Sequence, residues 1–464
     1  MPNEILLGID LGTTVLKAGA FAARTGAALA TISVRLPVRS AADGTREQAI
    51  PALDRAIRHA ARILRAKLGD SWIRTAGIGI AAQGGSAIIA DRETGRAFTP
   101  MQLWNDTRPL HRLPAIAARK PAGYWQRLSR LDGPGAGLAR IEWLRERFPQ
   151  LFRDSSIYIG AGEYCCFRLT GIWRQDAGSA LQIGCYDVPR RRIAAEPLRL
   201  VGLEPSFVAP MRNGHELHPL SREGAKLLHL PAGIPVAGPY MDHEAGYLAS
   251  AGRGGRPLQC SLGTAWVGNF ICECDPPPGF QLVLPSPMGE GSLIVRVMFA
   301  GNLTWDWALA ELLGAGAHGV CPEGGRRPPL QTDAALEGRR RPPLQTDAAP
   351  EGRRRPPLQQ ADRVFREELL PPPGLVALPW LTGPNAIDSR ISGGGAFWGI
   401  NPHVTTGDLL RATVAGMCFE FARVFQPVKA SGMVDRVVLG GGASNGWYFR
   451  TLLAGLFAPL PVSA

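Results

Sequence analysis

A chain of 464 residues is long enough for two or three domains, and 45% hydrophobic with 19% charged residues is the balance of a globular protein. No run of eighteen apolar residues occurs, which argues against a helical membrane span, and the N-terminus enters a strand almost at once, so a cytoplasmic protein without a signal peptide is expected. The net charge of +12 is carried almost wholly by arginine, with lysine only at 17, 67, 120, 226 and 429, and no RNA- or DNA-reading motif accompanies it, so nucleic acid is not an expected partner. The eight cysteines include no C-x-x-C pair, which leaves structural zinc unsupported.

The first element is Leu6-Leu-Gly-Ile-Asp10-Leu-Gly12-Thr13-Thr14-Val15. An apolar run carries a strand to Asp10, Gly12 permits a tight turn, two hydroxyls stand at its tip, and Val15 to Phe21 resumes as a strand. Backbone N–H groups and hydroxyls there can donate to phosphate oxygens, while the carboxylate can hold Mg²⁺ or its waters. The plain alternative is a hairpin that happens to read Gly-Thr-Thr. Gln48 to Leu68 has helical apolar spacing and stops at Gly69. Ala76 to Ala82 reads as a buried strand ending at Gln83-Gly84-Gly85-Ser86, and Ala87 to Asp91 as another. Trp104-Asn-Asp106-Thr-Arg108 is a polar loop, and Leu138 to Phe148 a helix. Strand and helix alternate throughout, which predicts an α/β fold.

Pro231 to Ala237 reads as a strand running into Asp242-His243-Glu244, with a small-residue helix from Ala245 to Ala251. A carboxylate at such a strand end can take a proton, or can cap the following helix. His243 beside it is a weaker base candidate. The segment from Gly252 to Pro257 reads as a linker and domain boundary. Directly after it, Ser261-Leu-Gly263-Thr264 repeats the opening turn, with Ser261 where Asp10 stood, which suggests a duplicated unit. Residues 326–357 hold a fourteen-residue repeat rich in Pro and Arg, expected to be a disordered surface insertion. Pro379 to Gly383 and Gly393 to Gly399 read as loops with buried aromatic anchors. A helix is predicted from Thr406 to about Val424. A strand from Val434 then meets Gly440-Gly441-Gly442-Ala-Ser444-Asn445, where glycines let the backbone approach a flat ligand, and a helix starts near Trp447. The sequence has neither a Walker A motif nor Gly-x-Gly-x-x-Gly at this loop.

In this order, Gly8-Ile-Asp-Leu-Gly-Thr-Thr14, Trp104-Asn-Asp-Thr-Arg108, Asp242, Leu262-Gly-Thr264, Gly395-Ala-Phe-Trp-Gly399 and Gly440-Gly-Gly-Ala-Ser444 resemble the FGGY carbohydrate kinases, which include xylulokinase, ribulokinase and glycerol kinase. The resemblance implies two duplicated actin-like ATPase (ribonuclease H-like) domains around a central cleft. Residues 1–251 would form the acceptor-side domain and 258–464 the ATP-side domain. It implies Asp242 as general base, Asp10 on the metal side, and Gly12, Thr13, Thr14, Gly263, Thr264, Gly441, Gly442 and Ser444 on phosphate and nucleotide. Gln83, Trp104 and Asp106 would line the sugar pocket. The implied reaction is ATP- and Mg²⁺-dependent phosphorylation of a small sugar or polyol, with no nucleic acid or membrane partner and a homodimer as the assembly considered. Glycerol kinases place an Arg-Glu pair after the corresponding glutamine. Here Gly84 and Gly85 leave space, so a ketose such as a pentulose is the expected acceptor and glycerol the alternative. Ala415 and Gly455 depart from the acidic residues usual in the family. The family pattern continues past Ala464, which implies a truncated C-terminus and, as the alternative function, a catalytically impaired ATP-binding module.

Overall fold

The computed structural model describes residues 4–252, 254–274, 281–298, 300–313, 356–381 and 394–464. The expected insertion at 326–357 lies outside them, apart from Pro356 and Pro357 at the start of the helix Pro356–Glu367. The chain divides into two units. One comprises Met1–Gln259, Gly268–Val297 and Ser431–Val438; the other comprises Cys260–Val267, Met298–Ala430 and Leu439–Ala464.

The first unit is built on a six-stranded mixed sheet. Its order is His218–Pro219, Pro235–Met241, Thr75–Ala82, Ile5–Leu11, Val15–Ala22, Ala28–Arg35. Ile5, Leu7, Ile9 and Leu11 point to one face, as a period of two dictates, and are buried there. The helix Ile50–Leu68 covers that face with Leu53, Ile57, Ala60, Ala61 and Leu64. Gly69 ends it with φ of 55°, a conformation in which a side chain would be strained. Thr75–Ala82 lies parallel to both Ile5–Leu11 and Pro235–Met241, in a register that aligns Leu11 with Ala82 and Ala82 with Met241. Three chain ends therefore leave the sheet side by side, so the residues that follow, Gly12, Gln83 and Asp242, emerge at one edge. Open α/β sheets place ligands at such strand ends.

A second six-stranded sheet is ordered Gln281–Pro285, Ser292–Met298, Trp266–Cys272, Pro257–Leu262, Arg436–Gly440, Val462–Ser463. In the second unit the helix Thr406–Ala430 forms the spine, burying Leu410, Val414, Met417, Phe421 and Phe425. It runs past the expected end at Val424, through Pro427, which deletes a single backbone donor. Trp266 packs edge-on against Phe421 and Phe449, with ring centroids 5.6 and 5.4 Å apart. Ala415 is buried on that helix, and a Cβ on Gly455 would point into open space. The stretch at Gly395–Gly399 holds a short strand in place of the expected loop, and of its two aromatics Phe397 packs half-buried against the cluster of Leu375, Ala377 and Ala412. Ala396–Trp398 pairs antiparallel with Val376–Leu378, and strand alternation turns Trp398 outward, 78% exposed. Gly393 and residues 382–392 lie outside the described set.

Among the described residues no helix is long and apolar enough to cross a membrane. Cys272 and Cys274 are joined as a disulfide, and Cys165, Cys166, Cys185, Cys260 and Cys418 are outside any disulfide and buried.

Candidate active site

The opening turn folds as its sequence implies. Gly12 N–H donates to the Val15 carbonyl at 3.1 Å, and a Cβ on Gly12 would stand 2.8 Å from that oxygen, so the turn closes only around glycine. Thr14 is exposed at the tip. Thr13 faces inward and joins the turn to the neighbouring strand end. Its hydroxyl donates to Gln83 Oε1 at 2.9 Å and accepts from Trp104 Nε1 at 3.1 Å. The Gln48 amide donates to the Thr13 carbonyl. Ser86 Oγ donates to Gln83 Oε1 at 3.1 Å and accepts from the Trp104 N–H at 3.0 Å. The structure thus gathers Thr13, Gln83 and Trp104 into one hydrogen-bonded group, although the resemblance assigns Thr13 to the phosphates and Gln83 and Trp104 to the sugar pocket. Trp104 remains 52% exposed.

Asp106 sits behind this group. It is fully buried, and both carboxylate oxygens are taken: Arg108 donates from Nε at 3.0 Å to Oδ1 and from Nη2 at 2.6 Å to Oδ2, while Arg46 N–H donates to Oδ2 at 3.1 Å. Arg108 also pairs with Glu47 at 2.6 Å and lies over the Trp143 ring at 4.8 Å. A fork-to-fork pair of this kind fixes geometry strongly. Asp106 therefore anchors the loop that presents Trp104, in place of the hydroxyl binding read from the sequence.

Asp242 opens the helix Asp242–Ala251 with its carboxylate 47% exposed. It accepts the His243 N–H at 2.9 Å. The Met241 N–H, the donor at this helix start, goes instead to Asp176 and to Glu244 Oε2 at 3.2 Å. Asp176 and Glu244 thus take the Met241 N–H, Asp242 takes the His243 N–H of the first turn, and the Asp242 side chain keeps a face toward solvent. His243 Nε2 lies 3.9 Å from Asp242 Oδ1, and its Nδ1 lies 3.5 Å from the buried Asn269 amide. Asp10 stands two strands away on Ile5–Leu11, with Thr75–Ala82 between. Burial pushes its pKa up to about 6, against the Lys17 charge, and the Asp242 carboxylate raises it further. Glu163 and Glu244, buried behind this edge, are also pushed up by burial and by Asp176, Glu163 to about 7.

Several organising residues escaped the sequence reading because they act over long chain separations. Arg140, 1% exposed, donates to the carbonyls of Gly85 and Leu103 and so holds both loops that carry Gln83 and Trp104. Asp176 caps the helix Ala177–Ile183 through Ser179 N–H at 2.7 Å and ties it to Met241. A buried charge or carboxylate in an apolar stretch is the signal that could have marked both.

In the second unit the other glycine turn meets the glycine-rich loop. Gly441 has φ of +90°, and a Cβ there would lie 2.7 to 2.9 Å from the Leu262 backbone. Asn302, unremarked in the sequence, joins the two. Its Nδ2 donates to the Leu262 carbonyl at 3.2 Å, its N–H donates to the Gly263 carbonyl at 3.0 Å, and its Oδ1 accepts from Trp266 Nε1 at 3.0 Å. Ser444 Oγ donates to the Gly441 carbonyl at 2.7 Å, and Thr264 is exposed. Gly263, Thr264, Gly441, Gly442 and Ser444 thus share one end of this unit, with backbone rather than carboxylates on offer.

Known proteins resemble this chain along most of its length. The family model described as "FGGY family of carbohydrate kinases, N-terminal domain" matches residues 5–249. The xylulose kinase of Escherichia coli (strain K12) is 26% identical over 460 residues, covering 97% of this chain and 84% of that protein. The L-fuculokinase of Salmonella typhi is 25% identical over 346 residues, covering 69% and 72%. The crystal structure of a xylulose kinase from Rhodospirillum rubrum superposes with a TM-score of 0.77 at 20% identity, covering 99% of this chain and 87% of that one.

Proposed function

Since the chain belongs to the FGGY family of carbohydrate kinases, we propose that it transfers a phosphoryl group from ATP to a hydroxyl of a small sugar or polyol, with Asp242 as general base. The observation that carries this reading is the half-exposed Asp242 carboxylate at the end of a parallel strand, beside the two strand ends that bear Thr13 and Gln83. Asp242 accepts the proton of the acceptor hydroxyl as it attacks. The exposed Trp104 ring gives the sugar an apolar wall, and the Gln83 amide, held by Thr13 and Ser86, meets a hydroxyl. A pentulose is the acceptor class proposed, in keeping with the xylulose kinase relative.

The residues fit a magnesium ion of the hard-oxygen kind. Asp10 is repelled by the Asp242 carboxylate, a cation relieves that repulsion, and Thr13 and Thr14 lie on the turn that follows Asp10. Mg²⁺ supplies charge neutralisation on the phosphates. Among the described residues no cluster of three or more His, Cys, Asp or Glu side chains is placed to hold a metal, which suits an ion brought in with the nucleotide. In the second unit the backbone of Gly441 and Gly442 would take the adenosine and the Gly263–Thr264 turn the phosphates.

The test is acceptor-dependent ADP release against a panel of ketoses, aldoses and polyols that includes D-xylulose, D-ribulose, L-fuculose, erythritol and glycerol. The reading expects turnover with at least one member and highest kcat/KM for a pentulose. Nucleotide binding without turnover on any member would make the chain a non-catalytic module, and glycerol as the best acceptor would overturn the pentulose.

A further inference from the structure

The space that Gly84 and Gly85 were expected to leave open is occupied. A Cβ on Gly84 would meet Met241 Sδ at 2.9 Å, and one on Gly85 would meet Trp104 Cβ at 3.2 Å and Gln182 Oε1 at 3.3 Å. Two side chains from distant parts of the chain, one apolar and one amide, replace what the glycines lack. Met241 packs on inward, against Gly178. Gln182 does something different. It is half-buried, and its amide makes no hydrogen bond to any described residue, although Gln83, Ser86 and Trp104 around it are tied into the network above. It also lines a small, partly open cavity of about 20 Å³ with Gln83, Ser86, Arg140 and Glu163.

The position of Gln182 is fixed by its helix. At one end, Asp176 ties the helix Ala177–Ile183 to Met241, the residue before the base. At the other, Gly135 and Gly137 lie so close to the Ile183–Gly184 backbone that a Cβ on either would stand 2.4 to 2.6 Å from it. A short helix pinned at both ends holds its side chains with the precision that a binding site needs. An amide with both a donor and an acceptor to offer suits a hydroxyl, which also does both.

We propose that Gln182 is a specificity-determining contact of the acceptor pocket, its amide hydrogen-bonding one hydroxyl of the sugar or polyol beside Gly85. The inference rests on the reading of Gln83 and Trp104 as acceptor-side residues. Loss of one such bond weakens binding by about tenfold.

The experiment uses the full chain and the acceptor with the highest kcat/KM in the panel, together with its mono-deoxy analogues. Gln182→Leu and the nearly isosteric Gln182→Met are each expected to raise the acceptor KM about tenfold, with kcat and the KM for ATP nearly unchanged. The penalty should vanish for one deoxy analogue, the one lacking the contacted hydroxyl. A merely structural role would penalise every analogue alike and lower kcat or thermal stability as well. Wild-type acceptor KM in both variants, or an equal penalty on all analogues, overturns the assignment while leaving the kinase reading intact. No turnover by the wild type on any acceptor overturns both.

Discussion

The chain contains Leu-Gly-Thr twice, and the two turns have different surroundings. At Leu11-Gly12-Thr13 the threonine hydroxyl is spent on Gln83 and Trp104, and carboxylates stand at Asp10 and Asp242. At Leu262-Gly263-Thr264 the threonine is exposed, Ser261 takes the place of Asp10, and the support comes from Asn302 and the Gly441 backbone. The same local sequence has been given acidic groups in one unit and backbone amides with glycine in the other. A turn's backbone offers N–H groups; its neighbours decide whether a metal and a hydroxyl or a nucleotide suits it.

The largest break in this comparison is Asp242→Asn, expected to lower kcat by about 10²–10⁴-fold while nucleotide affinity by calorimetry stays near wild type. Next is Gly441→Ala, where φ of +90° and the Leu262 backbone at 2.7 Å oppose any Cβ. It should cost about 1–3 kcal/mol in chemical denaturation and weaken nucleotide binding. Gly263→Ala, whose Cβ would find its nearest neighbour only at 3.7 Å, is the control expected to be milder.

Asp10 gives a prediction with a sign. Its folded pKa of about 6 lies above the ordinary 3.8, so between those values the folded state keeps a proton that the unfolded state has released. Stability therefore falls as pH rises through that window, and Asp10→Asn should raise Tm relative to wild type at about pH 8 but not at about pH 4. The same variant should need more Mg²⁺ for half-maximal nucleotide binding. The smallest effect separates the two threonines. Thr13→Val loses two hydrogen bonds and should cost about 1–3 kcal/mol of stability, while Thr264→Val should leave stability unchanged.

Much of this was legible in the sequence. Apolar runs marked Ile5–Leu11 and Thr75–Ala82, helical spacing marked Ile50–Leu68, and the glycine loop marked the start of Trp447–Phe457. The strand read at Pro231 to Ala237 in fact spans Pro235–Met241, since pairing with Thr75–Ala82 carries it through Gly238 and Pro239. What periodicity could not carry was long-range polar pairing. Arg140 reads as one of many arginines until its guanidinium is seen clamping two loops, and Asp106 reads as a pocket acid until Arg108 is seen closing on it. The space inferred at Gly84 and Gly85 failed for the same reason, because Met241 and Gln182 arrive from far along the chain.

The most direct measurement compares wild type and Asp242→Asn in a single reaction that follows both ADP and the phosphorylated acceptor. The account predicts one sugar phosphate per ADP in the wild type, almost none of either in the variant, and similar acceptor binding by both. ADP release that ignores the acceptor, or equal product from the variant, would contradict it.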